Sequence, residues 1–349
     1  MNKTCQVGGQ AVLEGVMMRS PNSLAVAVRR PSKEIVVKEA VWRSVWDRLK
    51  FLRWPFFRGT IVMIEAMLNG MQALNFSAKE ALPEEERGPL EDQEPSRISL
   101  VLPMLFSVLL AVGLFKFLPH MAATYTGKIF LGQALTVDNV LYHIVDGVVK
   151  VAIFVAYVGG ISLFKDIKRV FMYHGAEHMA IYTYERGEDL VVANARLKST
   201  LHPRCGTAFI MVVILVFIVV AAVLMPYLPE WVKPGEGKPW YNHLLVVLFK
   251  LPLLIPVAGI SYEFNRFAGR HSDNLFLKPF LLPGLGMQLL TTRRPTDDML
   301  EISLTALRTA LWRESVGEQA PENDEPLVFD GFESFVAASS DLRAASREG

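Results

Sequence analysis

The chain has 349 residues, of which 51% are hydrophobic, and a formal net charge of +1. That balance excludes the basic surface of a nucleic-acid binder and gives no sign of acidic substrates. The apolar residues gather in blocks, several longer than the roughly 18 uninterrupted apolar residues at which a membrane-spanning helix becomes the default reading. The fold class expected is therefore mainly α, a polytopic membrane protein, with a small β element and interfacial helices added below.

Cys5 and Cys205 are the only cysteines. They are far apart and in unlike surroundings, so no disulfide framework is expected and a reducing compartment is the natural reading. The start, Met1 to Gly9, lacks the basic region and apolar stretch of a signal peptide, so insertion is expected to rely on internal spans.

In chain order, Leu24 to Arg29 and Glu34 to Lys38 are short β-type runs around a Pro-Ser-Lys turn and read as a hairpin. Trp42, Trp46 and Leu49 recur at helical spacing among basic residues, a pattern for a helix in the membrane interface. Gly59 to Ala78 is apolar but broken by Glu65, Asn69 and Gly70. A full crossing there would reverse the charge logic of every later loop, so an in-plane or re-entrant helix is expected. Residues 83–97 combine glutamates with prolines and read as a disordered acidic linker.

Four spans are expected: Ile98 to Leu118, with Lys116 snorkelling to the headgroups; Val140 to Phe164; Thr207 to Leu228; and Leu244 to Tyr262. The second carries Asp146 and Lys150 one helical turn apart, where opposite charges neutralise each other. The fourth contains Pro252 and Pro256. Lys and Arg accumulate before Ile98, in the loop 165–206 and after Tyr262, whereas the loop 119–139 holds only Lys128. By the positive-inside rule both termini and the loop 165–206 face the cytoplasm, in a cell-membrane protein in contact with the lipid bilayer.

This divides the chain into 1–82, a cytoplasmic or interfacial region, and the linker 83–97. The four-span domain is 98–262, C-terminal interfacial helices occupy 263–316, and a disordered acidic tail fills 317–349. A last amphipathic helix is expected after Pro295 and Thr296, with Asp297 and Asp298 near its amino end.

Chemistry concentrates in the loop 165–206. His174-Gly-Ala-Glu177-His178 lies in a helical pattern, where positions three and four apart share a face. Two imidazoles one turn apart can grip one divalent metal, and the carboxylate can serve as base or further ligand. The spacing is that of the HxxEH pattern of inverzincin peptidases, which by itself recurs by chance. His202-Pro-Arg204-Cys205-Gly follows just before the third span, and imidazole with thiolate is a donor set that zinc prefers. Each of these residues alone reads more simply as an interfacial polar group, a turn cap or a buried small side chain; together they point to metal, most naturally zinc.

Further candidates are Glu263, at the end of the fourth span, and the nearby His271 and Asp273, all of which also read as structural. In Gly8-Gly-Gln-Ala-Val-Leu-Glu14-Gly15, glycines allow close backbone approach, without the spacing of a phosphate-binding loop. Glu14 and Arg19 are possible site residues there, and Arg204 is a third. Arg293 and Arg294 read as phospholipid or structural contacts.

The ordered motifs Gly8 to Arg19, Tyr173 to His178, His202 to Thr207, Tyr262-Glu263 and Pro283-Gly-Leu, with Gln288 and Thr291-Thr-Arg, resemble the bacterial YqhQ-like membrane proteins. The resemblance covers roughly residues 5 to 312 and implies a multi-pass fold and a metal-dependent enzyme; it supplies no substrate or reaction.

Three functions follow as expectations. The first is a zinc hydrolase at the cytoplasmic membrane surface, acting on a lipid or membrane peptide. His174 and His178 would hold the metal, His202 or Cys205 would complete it, and Glu177 would act as base. The second is a scaffold with a closed four-ligand structural site. The third is a transporter, motivated by Asp146, Lys150 and Lys250; with no evident internal repeat it would need oligomerisation.

Overall fold

The computed structural model describes residues 5–44, 54, 57–86, 97–133, 135–234, 238–270, 274–317 and 325–345. Trp46, Leu49, His271, Asp273 and most of the acidic linker lie outside these residues.

The amino-terminal chain folds into an antiparallel meander. Strands β1 (Gly8–Val12) and β2 (Gly15–Arg19) turn over Leu13 and Glu14, and β3 (Ser23–Arg29) and β4 (Ile35–Val41) form the expected hairpin. Side chains alternate across the sheet. Val16, Met18, Ala25, Ala27, Ile35 and Val37 enter one core, while Met17, Val26 and Val28 enter another. The second core is closed by Ala73 and Phe76 of helix α1 (Phe57–Glu80).

The helical stretches that follow are α2 (Arg97–Val112), a π turn at Gly113–Phe117 and α3 (Leu118–Leu131). Then come α4 (Val140–Ile161), α5 (Lys165–Glu185), the short α6 (Val192–Ala195) and α7 (Gly206–Leu224). Helices α8 (Tyr241–Lys250), α9 (Leu254–Arg270), α10 (Lys278–Thr291) and α11 (Asp297–Val316) complete the main body.

Leu105–Phe130, Val140–Ile161 and Phe209–Tyr227 are long and apolar enough to cross a membrane, and α8 with α9, bent by 40°, makes a fourth if the pair counts as one span. Large apolar side chains such as Phe106, Leu109, Phe130, Val148 and Val219 stand exposed on these helices, as contact with a lipid bilayer requires.

The first of these stretches corrects the expected boundary, since the chain stays helical past Leu118 where a loop was expected. Pro119 breaks nothing because it sits in the first turn of α3, directly after the π turn, where its missing N–H is least needed. Lys116 consequently does not mark the end of the stretch and lies over the Phe217 ring, 3.7 Å from its centroid. Asp146 and Lys150 form the expected ion pair, and Lys250 joins them, its Nζ 3.6 Å from Asp146.

Two carboxy-terminal expectations are also corrected. Helix α11 begins after Thr296 as the sequence indicates, but it is the central core helix of the sheet domain. Met299, Leu300, Ile302, Leu304, Ala306, Leu307 and Ala310 are buried against the sheet and α5. Alanines at 25 and 27 let this helix approach closely, and the Ser23 hydroxyl donates to the Ala310 carbonyl at 2.6 Å. The tail likewise contains β5 (Leu327–Phe329), which extends the sheet beside β4, and α12 (Phe332–Ala345). Its acidic composition hides an apolar strand and Phe335, a buried anchor that stacks on Phe332.

Candidate metal centre

Helix α5 is amphipathic in an unusual sense. One part of it packs Tyr173, Ala176, Met179 and Ala180 into the sheet domain, and another turns His174 and His178 toward the start of α7. There Cys205, buried, immediately precedes the first residue of the helix. One ring nitrogen from each histidine and the Cys205 sulfur lie within 4.8 Å of one another, and His174 Nε2 is 3.2 Å from Cys205 Sγ. A tetrahedral zinc, with bonds of about 2.1 Å to nitrogen and 2.3 Å to sulfur, needs a nitrogen–sulfur separation of roughly 3.6 Å. The His174–Cys205 pair is therefore close to that spacing, and the remaining donor separations do not exceed 4.8 Å.

The far side of each ring fixes its orientation. His174 Nδ1 donates to the Thr291 carbonyl at 2.8 Å, and His178 Nδ1 donates to the Thr200 carbonyl. A carbonyl only accepts, so each Nδ1 carries the proton and each Nε2 presents a lone pair toward the cluster. Outer-shell bonds of this kind orient histidine ligands in metal sites. His178 Nε2 is buried and, apart from Cys205, has no hydrogen-bond partner among the described residues. Burial also lowers the pKa of His178, against the pull of Cys205, which keeps the ring neutral and able to donate.

Glu177 stands between the rings, its Oε2 3.9 Å from His174 Nε2 and 4.0 Å from His178 Nε2. Burial raises its pKa, opposed by His174, His202 and a hydrogen bond from the Gly9 backbone. Gly9 is the close approach anticipated for that glycine pair: a Cβ there would fall 2.7 Å from Glu177 Cγ. Gly175 serves the same purpose on the other side, since a Cβ would meet the Arg293 carbonyl oxygen at 2.1 Å. Gly175→Ala is expected to pry α5 from the 291–293 segment and cost about 1–3 kcal/mol, as overpacking does. Thermal unfolding of the purified variant would show this as a lower midpoint, and an unchanged midpoint would refute the close contact.

The remaining candidates fall elsewhere. His202 is outside the triad. Its ring packs on Tyr182 at 4.5 Å, its Nε2 faces Glu185 at 3.4 Å, and its backbone is held on both sides by the Gln288 amide at 2.7 and 2.8 Å. Arg204 pairs with the same Glu185. Glu263 is gripped by Arg58 and so anchors α1. Glu14, at φ 50° in the β1–β2 turn, pairs with Arg169 and accepts from the Tyr173 hydroxyl, tying that turn to α5. Spacing alone could not disclose the Thr200 and Thr291 carbonyls, because any residue supplies that acceptor.

An antiparallel sheet packed with apolar helices, and a His-His-Cys grouping with His178 and Cys205 buried and His174 partly so, beside a buried carboxylate, define a membrane-associated protein with a candidate metal centre. The chain belongs to the family described as "Protein of unknown function (DUF1385)", whose model matches residues 54–313. It is 32% identical over 320 residues to "Uncharacterized protein YqhQ" of Bacillus subtilis (strain 168), covering 89% of this chain and 94% of that one. No solved structure matches it. Neither description attaches a metal or a reaction, so the metal reading rests on the side chains themselves.

Proposed function

We propose that this protein is a multi-pass membrane hydrolase with both termini in the cytoplasm, whose zinc-type centre is held by His174, His178 and Cys205 at the membrane surface. The observation that carries the reading is the paired orientation of two Nε2 lone pairs toward one thiol, with Glu177 about 4 Å from both. Three protein ligands leave one tetrahedral position open, the arrangement of hydrolytic zinc sites, and bound zinc would supply Lewis-acid polarisation and an activated water there. Glu177 would take the proton in that step, and its buried, raised-pKa carboxyl is the kind of group enzymes use as a base. A closed structural site would need a fourth protein donor. His202, its ring 5.6 Å from that of His178 between centroids, is committed to Glu185 and Tyr182, so Glu177 is the donor whose role separates the two readings: a fourth ligand in a scaffold, the base in an enzyme.

The test is Glu177→Gln in the full chain. It is expected to retain metal while giving the phenotype of a deletion strain; a fully functional variant would end the enzyme reading. A second consequence concerns stability. A carboxyl whose folded pKa is raised above 4.5 lowers folding stability as pH rises through the folded value. Chelator-treated Glu177→Gln should therefore melt higher than chelator-treated wild type at neutral pH, with the gap closing below pH 4.5. Equal melting at both pH values would contradict the buried carboxylate.

A further inference from the structure

Beside the triad lies a cavity of about 760 Å³ bounded by β1, β2, α1 and α9. Arg19, Arg58, Arg204 and Arg266 line it, and among the described residues no carboxylate does. Three of these arginines have acids behind them: Glu65 lies 3.6 Å from Arg19, Glu263 pairs with Arg58, and Glu185 with Arg204. A guanidinium carries five N–H donors, so one carboxylate leaves several unused. Burial lowers the pKa of Arg19 and of Arg204, in Arg19 against the opposing pull of Glu65. Asn69, itself 4% exposed, also lines the cavity, and its buried Nδ2 has no hydrogen-bond partner among the described residues.

The cavity adjoins the metal centre at two points. Gly8 and Gly9 form part of its wall, and Gly9 rests directly on Glu177. Arg204 precedes Cys205 in the chain. Its volume is within the roughly 300–1,000 Å³ of small-molecule sites and is far more than a lone inorganic anion needs. Val62, Ala66 and Tyr262 give it an apolar side, and Met63, Met67 and Phe267 on the same two helices expose apolar surface.

We propose that this cavity binds the phosphate of an amphiphilic or small phosphate ester. Guanidinium forks and the Asn69 amide supply the donors, and the rest of the ligand lies along α1 and α9. The role of this ester as substrate rests on the hydrolase reading above; its binding does not. The phosphate can come from a lipid headgroup or from a soluble ester, and the two sources are separable.

The experiment uses the full chain in mild detergent with phosphatidic acid, glycerol 3-phosphate and, as a control lacking phosphate, diacylglycerol. Wild type is expected to bind at least one phosphate ligand ten times more tightly than the control, and both Arg266→Gln and Arg19→Gln are expected to lose tenfold or more. Preference for phosphatidic acid identifies a lipid source, and preference for glycerol 3-phosphate a soluble one. Arg19 also packs on Trp42, so Arg266→Gln decides if Arg19→Gln fails to fold. Affinity equal to that for diacylglycerol, or wild-type affinity in Arg266→Gln, overturns the proposal. Metal content measured on the same samples separates the two readings, because phosphate binding without metal would sink the hydrolase and leave this site standing.

Discussion

His178→Ala and Cys205→Ser are each expected to strip the purified protein of zinc, while His202→Ala keeps it. The difference follows from where the lone pairs point. His174 and His178 are committed through Nδ1 to the Thr291 and Thr200 carbonyls, so both direct Nε2 at the Cys205 sulfur. His202 instead faces Glu185 and packs on Tyr182. Loss of an outer-shell partner typically costs 10–100-fold in metal affinity, and removal of one of three direct ligands should cost more, enough to release metal during chelator washing. His202→Ala should stay within the outer-shell range. Metal stoichiometry of the four proteins, measured after purification in detergent, decides the matter. A wild type without metal, or equal stoichiometry in all four, would remove the centre altogether; loss in His202→Ala equal to that in His178→Ala would restore His202 as a ligand.

The grouping of His174, His178 and Cys205 was partly legible because its signal is local. His174, Glu177 and His178 share a helix face by spacing alone, and Cys205 stands out as a donor beside a histidine. Spacing did not tell which of Cys205 and His202 lies with the two rings, because that depends on which backbone carbonyls and acids meet the rings from α10 and from the end of α5. The hairpin of β3 and β4 followed from alternation, and the start of α11 from its acidic first turn. The extent of the first apolar helix did not follow, since Pro119 is a breaker in sequence and is harmless after a π turn. Composition also misled at the carboxy terminus. The acidic residues there suggested disorder, yet Leu327 to Phe329 with Phe332 and Phe335 form a short strand and helix that pack onto β4 and α11. The arginine cavity was invisible because its four cations come from four separate parts of the chain.

Glu39→Ala is expected to destabilise the sheet domain by about 3–5 kcal/mol, the cost of leaving a buried charge without its partner. Ile35, Val37 and Glu39 occupy alternate positions of β4, so the strand turns Glu39 to the same buried face as its apolar neighbours. Arg313 of α11, fully buried, meets it with both ends of its guanidinium fork. The bidentate pair satisfies both charges where water cannot reach, and removing the carboxylate strands the cation. Hydrogen exchange of the α11 and β4 amides should then accelerate by about two to three and a half orders of magnitude, since each 1.4 kcal/mol is tenfold. The double variant Glu39→Leu/Arg313→Met should recover most of that protection, because an apolar pair of similar volume has no desolvation penalty to offset. Recovery would identify the pair as a register device that fixes α11 against β4. Exchange unchanged in Glu39→Ala would mean that the carboxylate contributes nothing to holding the helix there.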